Sequence, residues 1–176
     1  SVNLMAGAET GRGTDALVRA LAGALLAREA RLVTAESCTG GGIAAACCDL
    51  DGASEWFWGG LVTYTVDAKR RLLGVPQRLL DRHGAVSEPV ARAMAEGALA
   101  ASGAELALSV TGIAGPGGGE VLQPVGTVWF GWALRGVRTE TGTFLLEGDR
   151  AAVRAAAVRR ALEGALAMLD ASAGDD

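Results

Sequence analysis

The chain has 176 residues, half of them hydrophobic and only 5% aromatic, and its 20 acidic against 16 basic residues leave a net charge of −4. That length suits one domain able to bury its own core without disulfides or a structural metal, and the alanine-rich apolar half argues against a disordered or repeat chain. The acidic balance excludes broad electrostatic attraction to nucleic acid or to an anionic membrane, leaving room only for a local basic site.

Taken in order, residues 1–13 read as a flexible N-terminal segment, with Ser1 to Leu4 ahead of Met5 resembling an expression scar, and residues 14–172 as the domain. The start lacks the basic-then-apolar plan of a signal peptide. No apolar run reaches the ~18 residues of a membrane span. "TDALVRALAGALLAREA" places apolar residues at helical spacing behind Thr14 as N-cap. "RLVTAES" is a short strand that feeds a glycine turn, and "GIAAACCDL" is a helix of small residues. "EWFWGGLVTYTV" is β-prone, and Gly59 and Gly60 suggest a bulge or a close backbone approach. Its tryptophans suit either the core or a subunit contact, and a homodimer is expected. "DAKRRLLGV" and "PQRLLDRHG" are short helical pieces, the second started by Pro76 and ended by Gly84.

"SEPVARAMAEGALAASG" is a helix with Ser87 as N-cap, Glu88 and Pro89 in its first turn and Gly103 at its end. "ELALSVTG" is a buried strand and "IAGPGGGEVLQP" a glycine-rich loop. "VGTVWFGWALRG" and "RTETGTFLLEG" form a hairpin through Arg135-Gly136. "DRAAVRAAAVRRALEGALAMLDA" is a long closing helix with Asp149 near its start. Strands interleaved with helices predict an α/β domain: a mixed sheet with helices on both faces.

Three features bear on chemistry. "ESCTGGG" joins a strand to a helix, where unpaired amides carry partial positive charge; the glycines Gly40 and Gly41 and the hydroxyl of Thr39 would let an anion or a developing oxyanion come close. A plain Ser/Thr cap with glycines for packing fits the same letters. Ser37 is not in a Gly-x-Ser-x-Gly elbow and no Walker lysine follows the glycines. Cys38 is an alternative nucleophile, but its usual partner is a histidine, and the one histidine, His83, reads as a helix end. Cys38, Cys47 and Cys48 are odd in number and lack metal-ligand spacing, as buried thiols of a reducing cytoplasm would be.

Lys69 is the one lysine beside fifteen arginines, and an amine, unlike a guanidinium, can act as a base when desolvated. Strand alternation would put Val62, Tyr64 and Val66 on one face, so that Tyr64 faces the site, where it could hold the lysine or share its proton, while the chain turns to deliver Lys69. "SVTGIAGPGGG" offers Thr111, Gly112 and Gly115 as an anion nest, and Arg150 in "GDRAAVR" could pair with a phosphate or carboxylate. A mobile lid and a surface charge are the rival readings.

"TAESCTGG", "GGLVTYTVDAKRRLLGV", "GAVSEPVARAMAEGA", "VTGIAGPGGG", "PVGTVWFG" and "GDRAAVR" together resemble, in order, blocks of the CinA C-terminal domain family, which includes nicotinamide mononucleotide (NMN) deamidases. The resemblance implies hydrolysis of the NMN carboxamide to nicotinate mononucleotide and ammonia. It implies Ser37 as nucleophile and Lys69 as base, with Tyr64, Thr111 and Arg150 shaping the site, and no metal or other cofactor. A non-catalytic nucleotide-binding or regulatory module of the competence type, and an amidase for another small amide, are the alternatives. No direct nucleic-acid binding is expected.

Overall fold

A computed structural model describes residues 13–173 of the chain. The expected flexible segment lies outside the described residues, save Gly13, which stands at the N-cap of the first helix.

The elements run α1 (Thr14–Ala27), β1 (Leu32–Glu36), α2 (Gly42–Cys48), a 3-10 turn (Ala53–Glu55), β2 (Phe57–Val62), α3 (Val66–Leu73), α4 (Gln77–His83), α5 (Glu88–Ser102), β3 (Leu106–Gly112), β4 (Thr127–Leu134), β5 (Arg138–Leu145) and α6 (Arg150–Ser172). One five-stranded sheet has the order β2-β1-β3-β4-β5. β1 pairs in parallel with β2 and β3, whereas β4 and β5 add antiparallel strands at the far side. The mixed sheet with helices on both faces is therefore as expected.

Strand periodicity sorts the side chains between two cores. Leu32, Leu106, Leu108, Val110, Val128 and Phe130 face α1, α2 and α6 in the larger one. Val33, Ala35, Ala107 and Ala133 face α3, α4 and α5 in the smaller one. A strand covered on both faces should be buried throughout, and all five residues of β1 are. Trp132 stacks on Phe130 and donates its indole N–H to the Ala161 carbonyl at 2.9 Å, which satisfies its one polar atom inside the core.

Local chemistry sets most boundaries, with small departures from expectation. Thr14 is the first residue of α1, not its cap; Gly13 takes that position and no side chain caps the helix. Ser87 holds the N-cap of α5 with extended backbone, yet its hydroxyl donates to the Gly84 carbonyl instead of accepting from the helix. Asp149 caps α6 by accepting from the Ala152 amide. The β1–β2 register shifts opposite Trp58, the bulge that the paired glycines suggested. "EWFW" is split by this strand: Trp56 is core, and Trp58 is 40% exposed on the edge strand.

The topology positions the site. From β1 the chain crosses to β2 on one side and later returns as β3 on the other, so the carboxyl ends of β1, β2 and β3 open together at a crevice. α3, which follows β2 directly, rests on α5 through Gly97, where a Cβ would stand 1.9 Å from the Leu73 carbonyl oxygen. Gly97→Ala must push α3 away from α5. We expect about 2 kcal/mol of destabilisation, equivalent to a melting temperature lowered by about 6 °C, read by circular dichroism.

Candidate active site

Ser37 is the first residue past β1, and its amide still donates to the Val110 carbonyl of β3, so the strand ladder fixes its backbone. Lys69 enters from α3, whose start is held by Thr65 accepting from the Ala68 amide. The two meet at the crevice. Lys69 Nζ lies 2.9 Å from Ser37 Oγ and 2.9 Å from the Thr63 carbonyl, with the Tyr64 carbonyl at 3.4 Å. Ser37 Oγ also reaches the Tyr64 carbonyl at 3.5 Å.

The lysine is 2% exposed, and among the described residues no carboxylate forms an ion pair with it. Carbonyl dipoles and one hydroxyl replace water around the ammonium, and burial pushes its pKa down from 10.5 to about 8. Near neutral pH a useful fraction is thus the free amine that can accept a proton.

Cys38 is next in sequence and also buried, but burial drives its thiol up to about 11. A helix N-terminus lowers a thiol pKa, but desolvation outweighs that effect here. His83 is exposed at the end of α4 and does not line the crevice. A cysteine–histidine pair is therefore not assembled.

The glycine turn differs from its expected use. The amides of Ile43 and Ala44 at the start of α2 donate to the buried carboxylate of Glu36, at 2.9 and 3.0 Å, and the Thr39 and Thr34 hydroxyls donate to the same group. The protein's own anion fills the helix mouth. Gly40 and Gly41 take φ values of +61° and +95°, where a side chain is strained, and close the turn through Gly40 N–H to the Ser37 carbonyl and Gly42 N–H to the Thr39 carbonyl. Behind it, Arg154 donates to the Cys38 and Thr39 carbonyls at 3.0 and 3.2 Å. Thr39, Gly40 and Gly41 thus build the turn and are absent from the lining of the cleft.

That cleft is about 300 Å³ and contains Ser37, Lys69, Tyr64, Thr111, Gly112, Gly115 and Arg150 in its walls. Thr111 lines it, but its hydroxyl donates to the Ala85 carbonyl at 2.8 Å, so it ties β3 to the α4–α5 connection and is not a free donor. Tyr64 lies beyond the end of β2, so strand alternation does not aim it. Its carbonyl, not its phenol, approaches Lys69; the phenol oxygen accepts from Arg150 at 2.9 Å. Arg150, the first residue of α6, also donates to the Gly115 carbonyl at 2.8 Å and so bridges the mouth from the tyrosine to the glycine loop.

Sequence reasoning missed Glu36 and Arg154. An acid inside an otherwise apolar strand was the signal for the first; spacing of four from Arg150 on α6, which puts both on one helix face, was the signal for the second.

Known proteins resemble this chain over most of its length. A family model for the CinA C-terminal domain matches residues 14–169. A CinA-like protein of Akkermansia muciniphila is 54% identical over 142 residues, which are 81% of this chain but 34% of that protein, so the chain spans about a third of it. The nicotinamide-nucleotide amidohydrolase PncC of Escherichia coli K12 is 50% identical over 80% of this chain and 85% of its own length. The crystal structure of a competence damage-inducible protein A from Klebsiella pneumoniae superposes with a TM-score of 0.87 at 45% identity, covering 90% of this chain and 98% of the other.

The buried amine leaves a thermodynamic trace. Between pH 8 and 10.5 the unfolded chain holds the Lys69 proton and the native protein has released it, so rising pH stabilises the native state. Denaturant titrations of wild type and Lys69→Met should show their stability difference moving towards wild type across that window, by up to about 3 kcal/mol, with no such drift below pH 8.

Proposed function

The chain belongs to the CinA C-terminal domain family, and from that premise we propose that it is an amidohydrolase that converts NMN to nicotinate mononucleotide and ammonia. The observation that carries this reading is the 2.9 Å contact between a serine hydroxyl and a buried amine that has no acidic partner among the described residues, in a chain half identical to proteins named nicotinamide-nucleotide amidohydrolase.

In the mechanism we infer, neutral Lys69 takes the Ser37 proton as Oγ attacks the carboxamide carbon. The carbonyl oxygen becomes an oxyanion held by a backbone amide of the Ser37 turn, where the Cys38 N–H donates to no other backbone group within the described residues. Protonated Lys69 then returns its proton to the amide nitrogen, the C–N bond breaks, and ammonia leaves. The Tyr64 phenol is engaged with Arg150, so the lysine is the better acid for this step. Water, deprotonated by the same amine, hydrolyses the Ser37 ester and releases the carboxylate. Arg150 and the amides around Gly115 are the groups we assign to the phosphate. A second copy of the chain, if one packs here, would meet Trp58 on the exposed edge strand.

The non-catalytic alternative predicts binding without ammonia. A coupled ammonia assay with NMN, nicotinamide riboside and glutamine should therefore show turnover of NMN and little of the other two. Ser37→Ala and Lys69→Arg should each lose at least about 1000-fold in kcat/KM. Wild-type turnover in either variant overturns the assignment. The wild-type kcat/KM should rise with pH to a plateau, with its midpoint near the lysine value of about 8.

A further inference from the structure

Arg154 stands one turn beyond Arg150 on α6, and the mechanism above does not use it. Its Nε donates to the Cys38 carbonyl at 3.0 Å and its Nη2 to the Thr39 carbonyl at 3.2 Å. Two successive carbonyls of one turn thus sit on one guanidinium fork, an arrangement that an ammonium cannot duplicate. Gly40 makes the room: a Cβ there would come within 3.3 Å of Arg154 Nη2.

A planar trans peptide points its carbonyl and the following N–H in opposite directions. With the Ser37 carbonyl turned to the Gly40 amide and the Cys38 carbonyl turned to Arg154, the Cys38 and Thr39 amides are directed away from those partners. Within the described residues neither amide donates to another backbone group, and the Cys38 amide lies close to its own thiol. Cys38 lines the cleft beside Ser37 and Thr39 does not.

We propose that Arg154 is a positioning residue: by holding the Thr39 carbonyl it sets the Gly40 amide of the same peptide, which donates to the Ser37 carbonyl and so fixes the Cys38 amide where the oxyanion forms. The proposal rests on the serine-hydrolase reading above. Arg154 acts through backbone alone, since its guanidinium is outside the cleft lining and the residue is exposed. It belongs to neither apolar core, so its removal leaves both intact.

The test compares wild type with Arg154→Ala and Arg154→Lys by steady-state kinetics on NMN, thermal melting, rescue with millimolar methylguanidinium, and the rate at which a fluorophosphonate labels Ser37. Arg154→Ala should lose about 10- to 100-fold in kcat with KM within about twofold of wild type. Arg154→Lys, which can reach one carbonyl, should fall between. Methylguanidinium should restore several-fold activity to the alanine variant without changing its melting temperature, and fluorophosphonate labelling should slow in step with kcat. Unchanged kcat overturns the proposal. So does a raised KM with kcat kept, which would make Arg154 a substrate anchor, or a loss that tracks a lower melting temperature and resists rescue. If wild type releases no ammonia from NMN, the substrate assignment fails by itself, while the labelling rates still decide the role of Arg154.

Discussion

The constraint on which the site depends is a positive charge kept out of water with no carboxylate among the described residues paired to it. Lys69 is enclosed by α3, the end of β2 and the Ser37 turn, and carbonyl oxygens are its main company. A carboxylate at the same position would make an ion pair and hold the proton firmly. Its omission destabilises the fold somewhat and in return leaves the amine ready to exchange a proton. The surroundings supply the compensation: two cores, one on each face of the sheet, outweigh one poorly solvated ammonium.

The three glycines after Ser37 acquire a different meaning in three dimensions. They do not open a helix mouth to a ligand, because Glu36 already occupies it. They let the chain reverse sharply within van der Waals reach of α6, so that Arg154 can grip the turn from outside while Glu36 grips it from within. The serine is fixed by opposite charges on two sides of a backbone loop. Such a loop is rigid for reasons that lie in its neighbours, not in its own letters.

What the sequence made legible follows from how local each signal is. β1, α5, the β4–β5 hairpin and the Asp149 cap are encoded by period, capping and turn residues within a few positions, and all appear where expected. The end of β2 is not so encoded: "TYTV" has β-prone residues, but the chain must leave the sheet at Val62 for Thr65 to cap α3. Tyr64 lines the cleft, but strand alternation is not what aims it there. The meeting of Ser37 and Lys69 is a contact across 32 positions; a lone lysine and a family resemblance pointed to it, and no periodicity could. Thr111 was legible as a wall of the cleft, but not as a hydroxyl already committed to Ala85. Arg154 was hidden by abundance, because in a chain with fifteen arginines no single one stands out.

The bridge from Arg150 to Tyr64 and Gly115 has a consequence for discrimination. The guanidinium already donates to a phenol and a carbonyl. An arriving molecule must offer something stronger than those neutral acceptors, and a doubly charged oxyanion does while a sugar hydroxyl does not. If Arg150 receives the phosphate as proposed, a resident that yields only to a better bidder turns that arginine into a threshold, which a molecule without the anion would not cross.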